Sequence, residues 1–328
     1  MWEAVKRAVQ RNSKFLFCTH RDPDADGVGS ELALCCALEE MGKEAVILNP
    51  DSLPSILQFM DPDGRVQGFD RLGPKESVKR LDAAEVIFFL DAGQWKRLQP
   101  MGELVAARAG KVICIDHHPA DEKLTPDSVV DEKASSTGEL IYDLLKKLGH
   151  PLNERLAYYL YCALVKDTGS FRFENTSTRV FRMAADLAAH GIKPHEVYDQ
   201  VFERSSIGSV LCLGLVLDTL RLAYDNRLAY ISLTRNMLET SGSRIEETEN
   251  FVNVIRSIDP VETCIFFREL DNGKIKISFR SKTSKIDVNL LAGKFGGGGH
   301  KRASGAVVSG ALPEVIDRVV AAAADCFQ

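Results

Sequence analysis

Four short apolar runs, separated by stretches long enough for a helix, constrain the fold of this chain more than any other feature. They are FLFCTH (15–20), EAVILNP (44–50), AEVIFFLDAG (84–93) and KVICIDHH (111–118). Rich in β-branched and aromatic residues and bounded by polar ones, each reads as a buried strand. A helix is expected over residues 29–41 after the first run, and another over 102–109 between the third and fourth. Strand–helix alternation of this kind gives an α/β fold with a mostly parallel sheet, right-handed crossovers and flanking helices.

In open α/β sheets, ligands bind in the crevice outside the carboxyl ends of the strands. The residues at those ends are therefore the first candidates for chemistry. The first run ends in His20, and the chain continues Arg21-Asp22-Pro23-Asp24-Ala25-Asp26-Gly27. The third ends in Asp91, the fourth in Asp116-His117-His118, and the apolar segment LYCALVK runs into Asp167. Asp24 and Asp26 are separated by one residue, so an extended loop would point them at neighbouring positions, one toward each of two cations. Carboxylates and imidazoles without thiolates favour Mn²⁺, Mg²⁺ or Fe²⁺ over structural zinc. Six or more such ligands suit two ions ~3.5–4 Å apart bridged by one aspartate, a device that activates water and neutralises a phosphoryl group. Phosphate-ester hydrolysis is the reaction this donor set serves.

Beyond residue 136 the pattern becomes helical. Ser136-Thr137-Gly138-Glu139 has the form of a capping box ahead of LIYDLLKKLG. Further helices are expected over 153–164, 178–189 and 194–203. Residues 205–223 read as one long apolar helix joining two halves. After it come a strand (RLAYISL), a helix over 245–258, and two strands, VETCIFFREL and KIKISFRS, around an Asp271-Asn272-Gly273 turn. A short helix over 287–295, a glycine loop over 296–299 and a closing helix complete the chain. The expected organisation is a first domain over 1–204, which carries these strand ends, a helical linker over 205–225 and a smaller α/β domain over 226–328.

At 328 residues the chain is long enough for roughly two domains of about 150 residues. Its net charge of −5 gives no general attraction to nucleic acid or an anionic membrane, so long nucleic acid is not an expected partner. No stretch reaches the ~18 uninterrupted apolar residues that a membrane span needs. The first residues lack the apolar core and cleavage site of a signal peptide. The eight cysteines form no C-x-x-C pair and read as buried free thiols in a reducing compartment, so a cytoplasmic location is expected. The apolar segment 207–223 is a candidate for packing between the two copies of a homodimer.

One local basic patch stands out in this acidic chain. Four glycines, 296–299, allow close approach of the backbone to a ligand and precede His300, Lys301 and Arg302. Arg280 and Ser281 close the strand KIKISFRS, and Lys282 and Lys285 follow. Together they suit phosphate contacts.

Taken in order, HRDPDADGVGS (20–30), FLDAG (89–93), IDHH (115–118) and KDTGSFRF (166–173) resemble the four motifs of the DHH phosphoesterase superfamily. GGGGHKRASG (296–305) resembles the signature of the DHH-associated C-terminal domain. ASSTGELIY (134–142) and DTGSFRFENT (167–176) are similar to its NrnA-like branch of bifunctional oligoribonuclease/pAp phosphatases. The resemblance spans nearly the whole chain. It implies two Mn²⁺ ions, with Mg²⁺ as the alternative, in an active site at an interdomain cleft. His20, Asp24 and Asp91 would surround one ion; Asp26, Asp91, His117 and Asp167 would hold the other. His118 would face the substrate phosphate, and Asp116 would orient a histidine. A phosphate would also meet amides near Gly27–Ser30 if a helix starts there. Arg280, Gly298, Gly299 and His300, with Ser281 beside them, would bind the end of the substrate that is not cleaved.

The implied activity is removal of nucleoside monophosphates from very short oligoribonucleotides (nanoRNA), together with dephosphorylation of 3′-phosphoadenosine 5′-phosphate (pAp). A phosphodiesterase for linear or cyclic dinucleotides, such as pApA or cyclic di-AMP, is the alternative within the same chemistry. A nucleotide sensor on the same fold would be expected to lack a metal ligand, and every motif position here keeps its ligand.

Overall fold

Strands rich in Phe, Ile and Val hide both faces only if helices cover the sheet twice, and both halves of the chain solve the problem this way. In the computed structural model, which describes residues 1–328 except 120–122, 271, 284 and 328, two compact units separate at Met1–Arg204 and Ser205–Gln328.

The first unit opens with the amphipathic α1 (Glu3–Arg11), β1 (Lys14–Cys18), α2 (Ala25–Glu40) and β2 (Glu44–Asn49). Next come β3 (Val66–Gly68), α3 (Phe69–Ala83), β4 (Val86–Leu90), α4 (Gly102–Ala106), β5 (Val112–Asp116) and β6 (Val129–Val130). Four helices close the unit: α5 (Thr137–Leu148), α6 (Glu154–Asp167), α7 (Thr178–Ala188) and α8 (Pro194–Phe202). All the strand pairs are parallel, in the order β3-β2-β1-β4-β5-β6. The chain winds outward from β1 to β3, returns through α3, and winds the other way from β4 to β6. Strand order therefore reverses between β1 and β4, the place where open sheets open a crevice.

Successive residues of each strand serve opposite cores. Phe15, Phe17 and Phe88 stack with ring centroids 6.0 and 5.5 Å apart, under α2, α5 and α6. Leu16, Cys18, Ile87 and Phe89 point the other way, against Leu81, Leu98 and Met101. Each of these fully buried side chains contributes about 1.5–3 kcal/mol.

The second unit runs α9 (Ile207–Leu217), β7 (Arg221–Ala223), β8 (Leu228–Leu233), α10 (Arg235–Ser241) and α11 (Phe251–Arg256). It continues β9 (Thr263–Glu269), β10 (Lys274–Ser281), α12 (Val288–Gly293), β11 (Gly298–His300), β12 (Ala303–Ser309) and α13 (Leu312–Ala322). Its sheet, β11-β12-β10-β9-β8-β7, is antiparallel apart from the β8–β9 pair. Ile265, Phe267, Ile277 and Phe279 pack with α12 and α13, while Ala229, Ile231, Cys264 and Phe266 pack with α9 and α11.

Several expected elements are revised. The linking helix over 205–223 stops at Leu217: Tyr224, Asp225 and Asn226, at φ 52°, 54° and 65°, turn Arg221–Ala223 into a strand against β8. Since Cys212 and Val216 are buried with β8 and β9, α9 is part of the second unit's own core. The helix over 245–258 is broken into a 3₁₀ turn, Ile245–Thr248, and α11. The glycine loop is half strand, because Gly298–His300 pairs with β12. The β9–β10 hairpin forms as expected, although Asp271 of its turn lies outside the described residues. The eight cysteines are free thiols, seven of them buried, and no single helix among the described residues is long and apolar enough to cross a membrane.

Candidate active site

His20 and Asp91 lie just past β1 and β4, at the reversal of strand order. Buried side chains tie the strand ends beneath them. Thr19 donates its N–H to Asn49 Oδ1 and its hydroxyl to the Leu90 carbonyl, both at 2.9 Å, and Asn49 donates to Glu31 Oε2 at 2.9 Å. Asp91 N–H donates to the Ile115 carbonyl at 3.0 Å, fastening β4 to β5. At φ 62° Asp91 adopts a left-handed backbone that costs a non-glycine residue about 1–3 kcal/mol, strain of the kind that collects at functional positions.

Asp24 is the N-cap of α2, its Oδ1 accepting from the N–H groups of Asp26 and Gly27 at 2.9 and 3.3 Å. The helix therefore begins four residues earlier than expected, and Asp26 occupies its first turn rather than an extended loop. This also corrects the expectation for Gly27–Ser30. The Gly27 amide is committed to Asp24 Oδ1 and the Val28 amide to the Asp24 carbonyl, and all four residues are buried inside α2. Asp22 is exposed, and its N–H donates to Asp51.

The structure brings the predicted first-unit residues together. Asp91 Oδ2 lies 3.4 Å from His20 Nε2, and Asp91 Oδ1 lies 3.5 Å from His117 Nε2 and 3.6 Å from His118 Nδ1. His117 Nε2 also lies 3.0 Å from Asp167 Oδ2 and 3.7 Å from Asp26 Oδ2. Asp167 is the last residue of α6, and Asn175 donates to its carbonyl at 3.0 Å and to that of Ser135 at 2.9 Å. Asp116 Oδ1 meets His118 Nδ1 at 2.8 Å and accepts the His118 N–H at 3.1 Å, so Asp116 orients this imidazole rather than that of His117.

Burial drives the electrostatics. Asp26 is pushed well above the usual carboxylate range, first by burial and then by the charges of Asp91 and Asp167. Asp167 is also raised by burial, with His117 opposing. Burial acts on Asp91 in the same sense, but the neighbouring imidazoles of His117, His20 and His118 outweigh it and hold Asp91 well below that range. Burial works against charge on His117 and His20, yet their carboxylate partners keep both above the ordinary histidine value. For Asp24 the upward push of burial is overcome chiefly by Lys166, whose Nζ lies 3.3 Å from Oδ2.

Three sets of donor atoms, His20/Asp24/Asp91, Asp91/His117/His118 and Asp26/His117/Asp167, each lie within 4.8 Å of one another. The donors fit divalent cations: four carboxylates and three imidazoles share a largely buried space where they otherwise compete for protons. The tautomer of His20 fits as well. Its Nδ1 lies 2.7 Å from the Arg21 carbonyl, which can only accept, so Nδ1 carries a proton and Nε2, facing Asp91, is the nitrogen left to ligate a cation.

Some polar residues around the site were not anticipated. Thr137 donates its hydroxyl to Asp91 Oδ1 at 3.0 Å, and Lys166 pairs with Asp24. The run Ser135-Ser136-Thr137 was the available signal for the first, since three hydroxyls exceed what one helix cap needs. Lys166 carried no signal beyond its place beside Asp167.

In the second unit Arg280 lies on β10 between Cys264 of β9 and Ala303 of β12. Burial first, and then Arg268 and Arg256 against the opposing Glu249, pull its guanidinium below the ordinary arginine value. Ser281 is buried and its hydroxyl donates to the Thr283 carbonyl, which takes it out of the expected binding surface. Gly298 and Gly299 are exposed on the edge strand β11, with His300 half-buried beside them. Buried Arg268, bonded to Thr248 and Ser278 at 3.3 and 3.4 Å, was missed despite standing as a lone cation in an apolar run.

Comparison with known proteins places these features in context. The N-terminal domain of the DHH family matches residues 14–164, and the DHHA1 domain matches residues 237–328. A bifunctional oligoribonuclease and PAP phosphatase NrnA from Thermus thermophilus is 31% identical over 321 residues, covering 97% of this chain and 91% of that protein. The protein of the same name from Bacillus subtilis is 28% identical over 308 residues, covering 92% and 91%. Among solved structures, an exopolyphosphatase-related protein from Bacteroides fragilis matches with a TM-score of 0.90 at 30% identity, covering 97% of this chain and 94% of that one.

Proposed function

This chain belongs to the DHH family, and we propose that it is a phosphohydrolase that releases nucleoside monophosphates from very short oligoribonucleotides and also dephosphorylates pAp. The observation that carries this reading is the placement of Asp91, whose Oδ2 faces His20 while its Oδ1 faces His117 and His118. One buried carboxylate thus serves two separate donor groups. The relatives named for both activities align along nearly the whole chain.

In this reading His20, Asp24 and Asp91 hold one divalent cation, and Asp26, Asp91, His117 and Asp167 hold a second. Mn²⁺ is the assigned ion, with Mg²⁺ as the alternative, since the donors are oxygen and imidazole nitrogen without thiolate. Bound there, the cations supply Lewis-acid stabilisation of the phosphoryl oxygens and lower the pKa of a water. His118, oriented by Asp116 through Nδ1, serves the substrate phosphate as electrophile or proton donor. Arg280 and the main-chain N–H groups around Gly298, Gly299 and His300 bind a phosphate of the uncleaved end. The enzyme works in the cytoplasm, where its buried thiols stay reduced. Two copies pair through Ile207, Val210 and Leu211, which α9 leaves exposed; a Val210→Asp variant that sediments like the native chain would rule this out.

The deciding experiment incubates the protein with a labelled diribonucleotide and Mn²⁺ and follows mononucleotide release. Absence of turnover, or undiminished turnover after Asp91→Ala, overturns the reading. Comparing kcat/KM for diribonucleotide, pAp, pApA and cyclic di-AMP ranks the substrates, and a dominant cyclic dinucleotide would replace oligoribonucleotide in the assignment.

A further inference from the structure

Thr137, the first residue of α5, is fully buried and touches two of the site's carboxylates at once. Its hydroxyl donates to Asp91 Oδ1 at 3.0 Å, and its main-chain N–H donates to Asp26 Oδ2 at 2.7 Å. The next N–H, that of Gly138, donates to Asp26 Oδ1 at 2.8 Å. The helix start is satisfied by other groups. Ser136 Oγ accepts from the Glu139 N–H at 3.0 Å, while Glu139 Oε2 accepts from the N–H and hydroxyl of Ser135, both at 2.7 Å. The Thr137 hydroxyl is therefore surplus to the cap and is directed at Asp91.

A carboxylate on a short side chain rotates in a broad, roughly two-fold well about its last torsion. The imidazole contacts of Asp91, at 3.4–3.6 Å, are too long to fix that rotation, whereas the Thr137 bond at 3.0 Å is of normal length and buried. We propose that Thr137 is a positioning residue. Its hydroxyl fixes the plane of Asp91, so that one oxygen stays with His117 and His118 and the other with His20. Its N–H holds Asp26 in register with that plane. The inference rests on the reading that these carboxylates bind divalent cations. It adds that α5, which supplies none of the assigned ligands, sets their spacing.

Thr137→Val keeps the branched shape and the main-chain N–H and removes only the hydroxyl. The test is Mn²⁺ binding to the metal-free full-length protein, by calorimetry and by the paramagnetic resonance signal of free Mn²⁺, with no substrate present. Thr137→Val is expected to bind Mn²⁺ about 10–100-fold more weakly, and Thr137→Ser within about threefold of the native chain. Circular dichroism of the metal-free variants checks that each is folded. If valine folds poorly, Thr137→Ala removes the same hydroxyl from a good helix former and is expected to show the same weakening. Indistinguishable Mn²⁺ binding by the native, Val and Ala chains, at whatever level, overturns the proposal, as does a Ser variant as weak as Val. The diribonucleotide assay fails independently: a native chain that binds Mn²⁺ yet hydrolyses nothing overturns the proposed function while the Thr137 result is still read from binding alone.

Discussion

The two units hold their candidate residues by opposite means. In the first, charged side chains from the ends of β1, β4, β5 and α6 are buried against one another, and the position of each depends on its neighbours' charge. In the second, the main chain is what is offered: Gly298 and Gly299 lie exposed on an edge strand, with Arg280 on the same sheet across β12. Glycine is required there by close packing, since a Cβ at Gly297 would stand 2.1 Å from the Gly305 carbonyl oxygen, and one at Gly299 would stand 2.6 Å from that of Ala303. The first arrangement is sensitive to charge and the second to volume.

The largest effect that would break this comparison is removal of divalent cations. Dialysis against a chelator is expected to lower diribonucleotide hydrolysis by at least about a thousandfold, with recovery on adding Mn²⁺. Activity that survives chelation would mean the buried carboxylates serve something else. Next in size, His118→Gln is expected to lower kcat about 10²–10³-fold while KM stays within about threefold. A change confined to KM in steady-state kinetics would move His118 to the binding side of the comparison.

Arg280→Gln should do the reverse. Loss of a charged hydrogen bond worth about 1.5–3 kcal/mol predicts a KM for diribonucleotide raised about tenfold or more, with kcat within about threefold. An unchanged KM would remove Arg280 from the binding role. The smallest effect is expected from Gly299→Ala, which combines φ 145° with that close approach to Ala303. It should cost about 1–3 kcal/mol and lower the melting temperature by a few degrees, while Mn²⁺ affinity is untouched. Weakened Mn²⁺ binding in this variant would show that the two regions are not separable.

The strands that carry the site were legible because both of their faces are buried, which forces continuous apolar runs such as VIFFL and VICID. Their terminal residues were legible as candidates for the site for the same reason, standing out against that background. β3 (VQG) and β6 (VV) are too short to leave a pattern. The start of α2 was misplaced because Asp24 and Asp26 were read only as donors, although Asp24 also caps the helix. The segment after Leu217 (DTLRLA) carries no glycine or proline to stop a helix, which hid the left-handed turn at Tyr224–Asn226 that makes it a strand. Thr137 was hidden by the capping box, which accounted for Ser136 and Glu139 and left its hydroxyl without a role. Ser281 looked like a surface group because hydroxyls usually are, and the Thr283 carbonyl that takes its proton is set by loop geometry, which carries no residue pattern.

The reversal of strand order between β1 and β4 also bears on biosynthesis. The Thr19 hydroxyl and the Leu90 carbonyl it meets are separated by 71 residues of chain, and His20 and Asp91 are their immediate neighbours. During synthesis the two leave the ribosome far apart, and only the assembled sheet brings them within 3.4 Å. A growing chain therefore shows the surrounding ions nothing but scattered acidic side chains. The complete donor set exists only once the sheet has assembled, so anything that binds it adds its binding free energy to the stability of the folded sheet.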